Sequence, residues 1–105
     1  MKLNIIIGEN NLSIDVPIDM LDDAEEIYAK MDKEMDKGGQ MYRDWVDDLS
    51  QQQRCQIIAN RLLTAVENEN EATSMLMAGY IMSRMPGAAN VEISTDGDIT
   101  QTQLT

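Results

Sequence analysis

The chain has 105 residues, a formal net charge of −11, a single cysteine, no histidine and an aromatic content of only 4%. This size fits one domain, residues 1–105, with one core. The charge argues against direct nucleic-acid binding, which sets Lys and Arg against phosphates, and against docking on anionic membranes. One Cys without His excludes an intrachain disulfide and a Cys/His zinc site.

Residues 2–7 (KLNIII) and 12–16 (LSIDV) alternate as strands around the turn residues GENN. A hairpin with a four-residue loop sets Ile7 opposite Leu12, Ile5 opposite Ile14 and Leu3 opposite Val16, all on one face. Pro17 closes the second strand. Asp19 is placed to cap a helix over residues 20–37, whose apolar stripe is Leu21, Ala24, Ile27 or Tyr28, Met31 and Met35. Gly38 and Gly39 stop that helix. A short helix is expected over residues 40–49, because Met41, Trp45 and Leu49 recur at intervals of four.

Ser50 and Gln53 form a capping box for a helix through residue 67, with Cys55, Ile58, Ala59, Leu62, Ala65 and Val66 on its inner face. Asn68 and Glu71 suggest a second cap. The helix that follows carries SMLMAGYIMSRM, residues 74–85, and ends at Pro86 and Gly87. It is apolar on every side, which predicts a central, buried helix. Its mid-helix Gly79 predicts a close contact with a neighbouring element. The tail is expected to be a hairpin about Asp96-Gly97, with Val91 and Ile93 opposite Thr102 and Thr100, as a solvent-facing or edge element. The expected class is therefore α+β: an N-terminal β-hairpin, three to four helices and a C-terminal β-hairpin, with a small antiparallel sheet packed on a helical layer. A hairpin leading directly into a helix resembles the start of β-grasp domains over about a third of the chain; the helical pair departs from that pattern, and no function is carried over.

Little in the chain points to catalysis. The absence of His removes the commonest general base and metal ligand. Neither GxGxxG nor a Walker loop is present, so no cofactor site is expected. Cys55 shares a face with Ile58 and Leu62, so a buried thiol is preferred over a nucleophile. The carboxylate clusters (Asp22, Asp23, Glu25 and Glu26; Asp44, Asp47 and Asp48; Asp96 and Asp98) read as solvated acidic faces.

The expected role is that of a small acidic, non-catalytic protein-interaction module: an accessory, adaptor or regulatory subunit in the cytoplasm, with a protein partner of basic character or a second copy as a homodimer. The candidate surfaces are a patch of Met41, Tyr42 and Trp45 with Met31 and Met35, and an acidic strip of Asp19, Asp22, Asp23 and Glu26. For Trp45 itself a place in the core beside the sheet is the preferred alternative. A second functional reading is an acidic mimic of nucleic acid that inhibits a DNA- or RNA-binding protein.

Overall fold

Leucine and isoleucine at alternate positions of the first strand dictate one apolar face, and the sheet is built outward from it. The computed structural model describes residues 1–105. Its elements are β1 (Lys2–Ile7), β2 (Asn10–Asp15), α1 (Ile18–Asp23), α2 (Glu25–Met35), β3 (Gly39–Met41), β4 (Asp44–Val46), α3 (Gln51–Glu67), α4 (Glu71–Arg84), β5 (Asn90–Ile93), a 3-10 turn (Ile99–Gln101) and β6 (Gln103–Leu104). The main sheet has the order β2-β1-β5-β6, and β3-β4 form a separate two-stranded hairpin. The α+β class and the N-terminal hairpin are as expected. The main sheet is mixed, because β1 and β5 run parallel while the other pairs are antiparallel.

The β1–β2 register is two residues tighter than expected: Ile7 faces Asn10, Ile5 faces Leu12 and Leu3 faces Ile14. Gly8 sits at φ +60° in a two-residue turn, the loop length that best matches strand twist. A shift of two preserves the faces, so Leu3, Ile5 and Val16 still enter the core. On the opposite face a polar ladder crosses three strands. Ser13 Oγ donates to Asn4 Oδ1 at 3.4 Å, and Asn4 Nδ2 donates to Asn90 Oδ1 at 3.1 Å.

The tail departs most from expectation. β5 lies inside the sheet between β1 and β6, with Val91 and Ile93 buried, so it is not solvent-facing, while β6 does form an edge of the sheet. Val91 pairs with Leu104, and the 3-10 turn replaces a plain hairpin. Few apolar residues hold the tail; hydrogen bonds do so instead. Buried Gln56 donates through Nε2 to the carbonyls of Thr100 (3.3 Å) and Thr102 (2.9 Å), and the buried Thr102 hydroxyl accepts the Ser94 amide at 3.0 Å.

The expected helix over residues 20–37 is broken at Ala24, where φ is −92° and ψ 1°. Pro17, not Asp19, occupies the N-cap; Asp19 lies within the first turn. The stripe resolves in favour of Tyr28, which is fully buried, while Ile27 is exposed. α4 is central as expected, with Met77 through Met82 all buried. Gly79 is required there, because a Cβ would fall on the Tyr28 hydroxyl. The Ser50–Gln53 capping box of α3 is present in both directions.

Asn68 does not cap α4; it ends α3, and Asn70 caps α4 by accepting the Thr73 amide at 3.1 Å. Between them the backbone makes a Schellman turn. The Asn70 amide donates to the Ala65 carbonyl at 2.9 Å and the Glu69 amide to the Val66 carbonyl at 3.1 Å. Glu69 holds the left-handed position, φ 55°, that glycine usually takes.

Two substitutions test this packing. Glu69→Gly relieves the left-handed strain and should raise stability by about 0.5 kcal/mol after the added freedom of the unfolded chain is subtracted. Gly79→Ala should cost about 2–3 kcal/mol by overpacking, a fall of about 8–24 °C for a domain of this size. Thermal melts by circular dichroism measure both.

Candidate functional site

The densest collection of chemistry lies where α2, α3 and α4 meet. Asp32 Oδ1 accepts from the Tyr80 hydroxyl and, at 3.4 Å, from Arg54 Nη1; its Oδ2 accepts Arg84 Nε at 2.8 Å. Arg84 continues as a fork onto Glu25, at 2.8 and 2.9 Å. Arg54 Nη2 reaches Asp36 at 2.7 Å and its Nη1 donates to the Asp32 carbonyl at 3.1 Å. The Arg84 guanidinium also stands over the rings of Tyr80 and Tyr28, 5.4 and 5.9 Å from their centroids. Those rings meet edge to face at 5.8 Å.

The protonation states follow from these contacts. Burial pushes the Asp32 pKa up, but the hydrogen bonds from Tyr80, Arg84 and Arg54 outweigh it, so the carboxyl titrates below its usual 3.8. The hydrogen bond to Arg84 lowers Glu25. Tyr80 is pushed up, by burial first and by its hydrogen bond to Asp32 next, and remains a phenol. The Cys55 thiol, fully buried beside this cluster, is pushed up to about 11 by burial. At neutral pH the cluster is an ionised, hydrogen-bonded clamp, with both carboxylate oxygens of Asp32 and Glu25 and all three guanidinium nitrogens of Arg84 engaged within it. The sequence reading assigned Glu25 to a solvated acidic face and missed the clamp. Arg84, the one charged residue in the stretch from Ser74 to Met85, is the signal that could have pointed to it.

The expected short helix over residues 40–49 is instead the β3–β4 hairpin. As a helix it would put Met41, Trp45 and Leu49 on one face; as a hairpin it sends Met41 inward and Trp45, opposite Gln40, outward. Gly38, at φ +98°, starts it, and a Cβ there would lie 2.5 Å from the Val46 carbonyl oxygen and 2.8 Å from Trp45 Nε1. Tyr42 takes the left-handed turn position, φ 46°, with the Arg43 guanidinium 5.2 Å from its ring centroid. Gln40 Nε2 donates to the Tyr42 carbonyl at 3.2 Å, and Trp45 Nε1 donates to Asp47 Oδ1 at 3.0 Å.

Trp45 is therefore not in the core: it is 58% exposed, and Tyr42 is 46% exposed. Met31, Met35 and Met41 are core residues, so the expected patch is divided into a buried methionine floor and two exposed aromatics. Asp44, Asp47 and Asp48 are exposed around the aromatics. The acidic strip lies apart from the hairpin in sequence: Asp19, Asp22, Asp23 and Glu26 are all exposed on α1 and α2, and none is in an ion pair. Ile18, 64% exposed, lies at the start of that strip.

In the C-terminal loop, Asp96 Oδ1 accepts from the Ser94 hydroxyl at 2.6 Å and from the Asp98 amide at 3.1 Å, and Asp98 accepts the Thr100 amide at 3.1 Å. These acids shape the turn. No helix is long and apolar enough to cross a membrane. No family model, curated protein or solved structure matches the chain.

The clamp predicts a signed pH dependence. A carboxyl with a lowered folded pKa contributes stability above its unfolded value and loses it as pH falls through the folded one. The Asp32 contribution should be complete above about pH 5 and decay progressively at lower pH. Asp32→Asn should cost about 2 kcal/mol at neutral pH and flatten the acid limb of a stability-versus-pH curve measured by urea unfolding. The exposed indole makes a separate prediction: the intrinsic fluorescence should be red-shifted and readily quenched by acrylamide, changing little on unfolding.

Proposed function

We propose that this chain is a small, acidic, non-catalytic protein-interaction module that works in the cytoplasm as an accessory or adaptor subunit, with the tip of the β3–β4 hairpin as its contact surface. The observation that carries this reading is the exposure of the single tryptophan, on β4, together with that of Tyr42, in the two-residue turn of the same hairpin. Trp, Tyr and Arg are the residues most enriched where binding energy concentrates, and Tyr42, Arg43 and Trp45 fall within four consecutive positions. Exposed large apolar side chains cost solubility, so their grouping on a short hairpin is better explained by a partner than by folding. The surrounding aspartates favour a partner with basic residues at the rim of the contact.

The experiment is stoichiometric capture with the tagged chain from its native cells, followed by measured affinity for the captured protein. A Tyr42→Ala/Trp45→Ala double variant should lose at least about 30-fold in affinity, with an unchanged melting temperature. Retained affinity would overturn the hairpin reading. Binding that survives this variant but collapses when Asp19, Asp22, Asp23 and Glu26 are neutralised, and falls steeply with salt, would transfer the function to the acidic strip, as an inhibitor mimicking nucleic acid requires.

A further inference from the structure

A second surface, distant in sequence from the hairpin, lies along β2. This strand is the outer member of the main sheet and nothing pairs with its free edge. The ladder shows which backbone groups are unused. The Val16 amide donates to the Met1 carbonyl at 2.7 Å, and the Asn4 amide turns the other way, to Ala89 at 2.9 Å. Odd-numbered residues of β1 therefore bond toward β2, and their partners there are Asn10, Leu12 and Ile14. By alternation the N–H and C=O groups of Asn11, Ser13 and Asp15 point outward. The strand has no proline, lysine or bulge within it, which are the usual protections of a free edge.

Beside that edge runs an open groove of about 610 Å³, between the inner face of β2 and the α3–α4 junction. Its apolar floor is Leu12, Ile14, Val66 and Met75, the half-buried fringe of the core. Its rim carries Glu69, Glu71 and Asp15, and no Lys or Arg lines it. Asp15 already faces the terminal amine at 3.3 Å, so the uncompensated charge is that of Glu69 and Glu71. Glu69 is the residue held in the left-handed turn position, where glycine would be more comfortable.

We propose that this edge and groove accept an extended segment of a basic protein partner as an added strand outside β2. On the side of that segment turned to the groove, apolar residues lie over Leu12, Ile14, Val66 and Met75 and Lys or Arg residues next along the same face meet Glu69 and Glu71, while the alternate side chains, on the outer face, are polar. The backbone supplies affinity and the groove supplies the two-residue specificity. Charge selects the occupant: a second copy would bring its own Glu69 and Glu71 to the same rim, where like charges repel, whereas a basic segment complements it. Six residues of β2 match an extended segment of about 20 Å.

The probe is an end-blocked octapeptide with threonine at its odd positions and valine, valine, lysine and lysine at its even ones, so that valines and lysines share one face, titrated into the isotopically labelled full chain by NMR. Saturable shifts should appear, with slowed amide exchange at Asn11, Ser13 and Asp15. A peptide with glutamate in place of lysine, and one with the same residues arranged in two blocks, should each bind at least about tenfold more weakly. Glu69→Lys/Glu71→Lys should lose the same factor. Ser13→Pro removes the outward amide, along with the exposed Ser13 hydroxyl that donates to Asn4, and should abolish binding; the Glu69→Gly variant, expected to be more stable than the parent, should bind more weakly, which separates binding from folding. The proposal is overturned by no shift at millimolar peptide, by shifts centred on Trp45, by equal binding of the block or glutamate peptides, or by concentration-dependent dimerisation that protects the β2 amides without any peptide. Because the probe reads β2 and the capture experiment reads Trp45, failure of one leaves the other standing.

Discussion

The approach of Tyr28 to the backbone of α4 at Gly79 sets the geometry on which the rest of this fold depends. Only glycine leaves room for the tyrosine hydroxyl at that point, and Leu21 of α1 packs against the same place. With α2 held so close, Asp32 comes within reach of Tyr80 and Arg84, and Glu25 comes within reach of the same guanidinium. The contact has a cost, since the Tyr28 hydroxyl is buried without a hydrogen-bond partner, which is worth about 1–3 kcal/mol. The edge-to-face contact with Tyr80 and the Arg84 cation above both rings offset part of it.

The same arrangement explains how so acidic a chain holds two of its arginines inside. Arg54 and Arg84 are mostly buried and each binds two carboxylates, with Asp32 shared between them. Those pairs tie α2 to the C-terminal pair of helices, and they concentrate the remaining acids on the outside. α1, the β3–β4 hairpin and the α3–α4 turn carry these acids in the open. A field of one sign over most of the surface keeps copies apart and favours basic partners. Both proposed surfaces combine that field with apolar or aromatic side chains that the core does not cover.

Much of the architecture is legible in the residues. The alternation of Leu3, Ile5 and Ile7 identifies the first strand and its buried face; Ser50 and Gln53 mark the start of α3; an all-round apolar pattern marks α4 as central, and Gly79 marks a close contact. The site is less legible, for three separate reasons. Met41, Trp45 and Leu49 satisfy a helical period by coincidence, over a segment too short for periodicity to decide between helix and hairpin. Tyr42 and Glu69 take left-handed positions that glycine or asparagine would have advertised. Arg84 looks like a stray charge near a helix end until the fold brings Glu25 and Asp32 to it.

The sequence by itself determined the α+β class, the charge of the surface, the faces of β1 and β2 and the burial of α4, because each of these follows from local pattern and composition. Only the tertiary structure decided that β5 enters the sheet beside β1, that Trp45 faces water and that the edge of β2 stays open. These depend on pairings between residues distant along the chain. The parallel β1–β5 pair joins segments more than 80 residues apart, and the polar tail is buried through Gln56 and Thr102, whose hydrogen bonds leave no trace in hydrophobic periodicity.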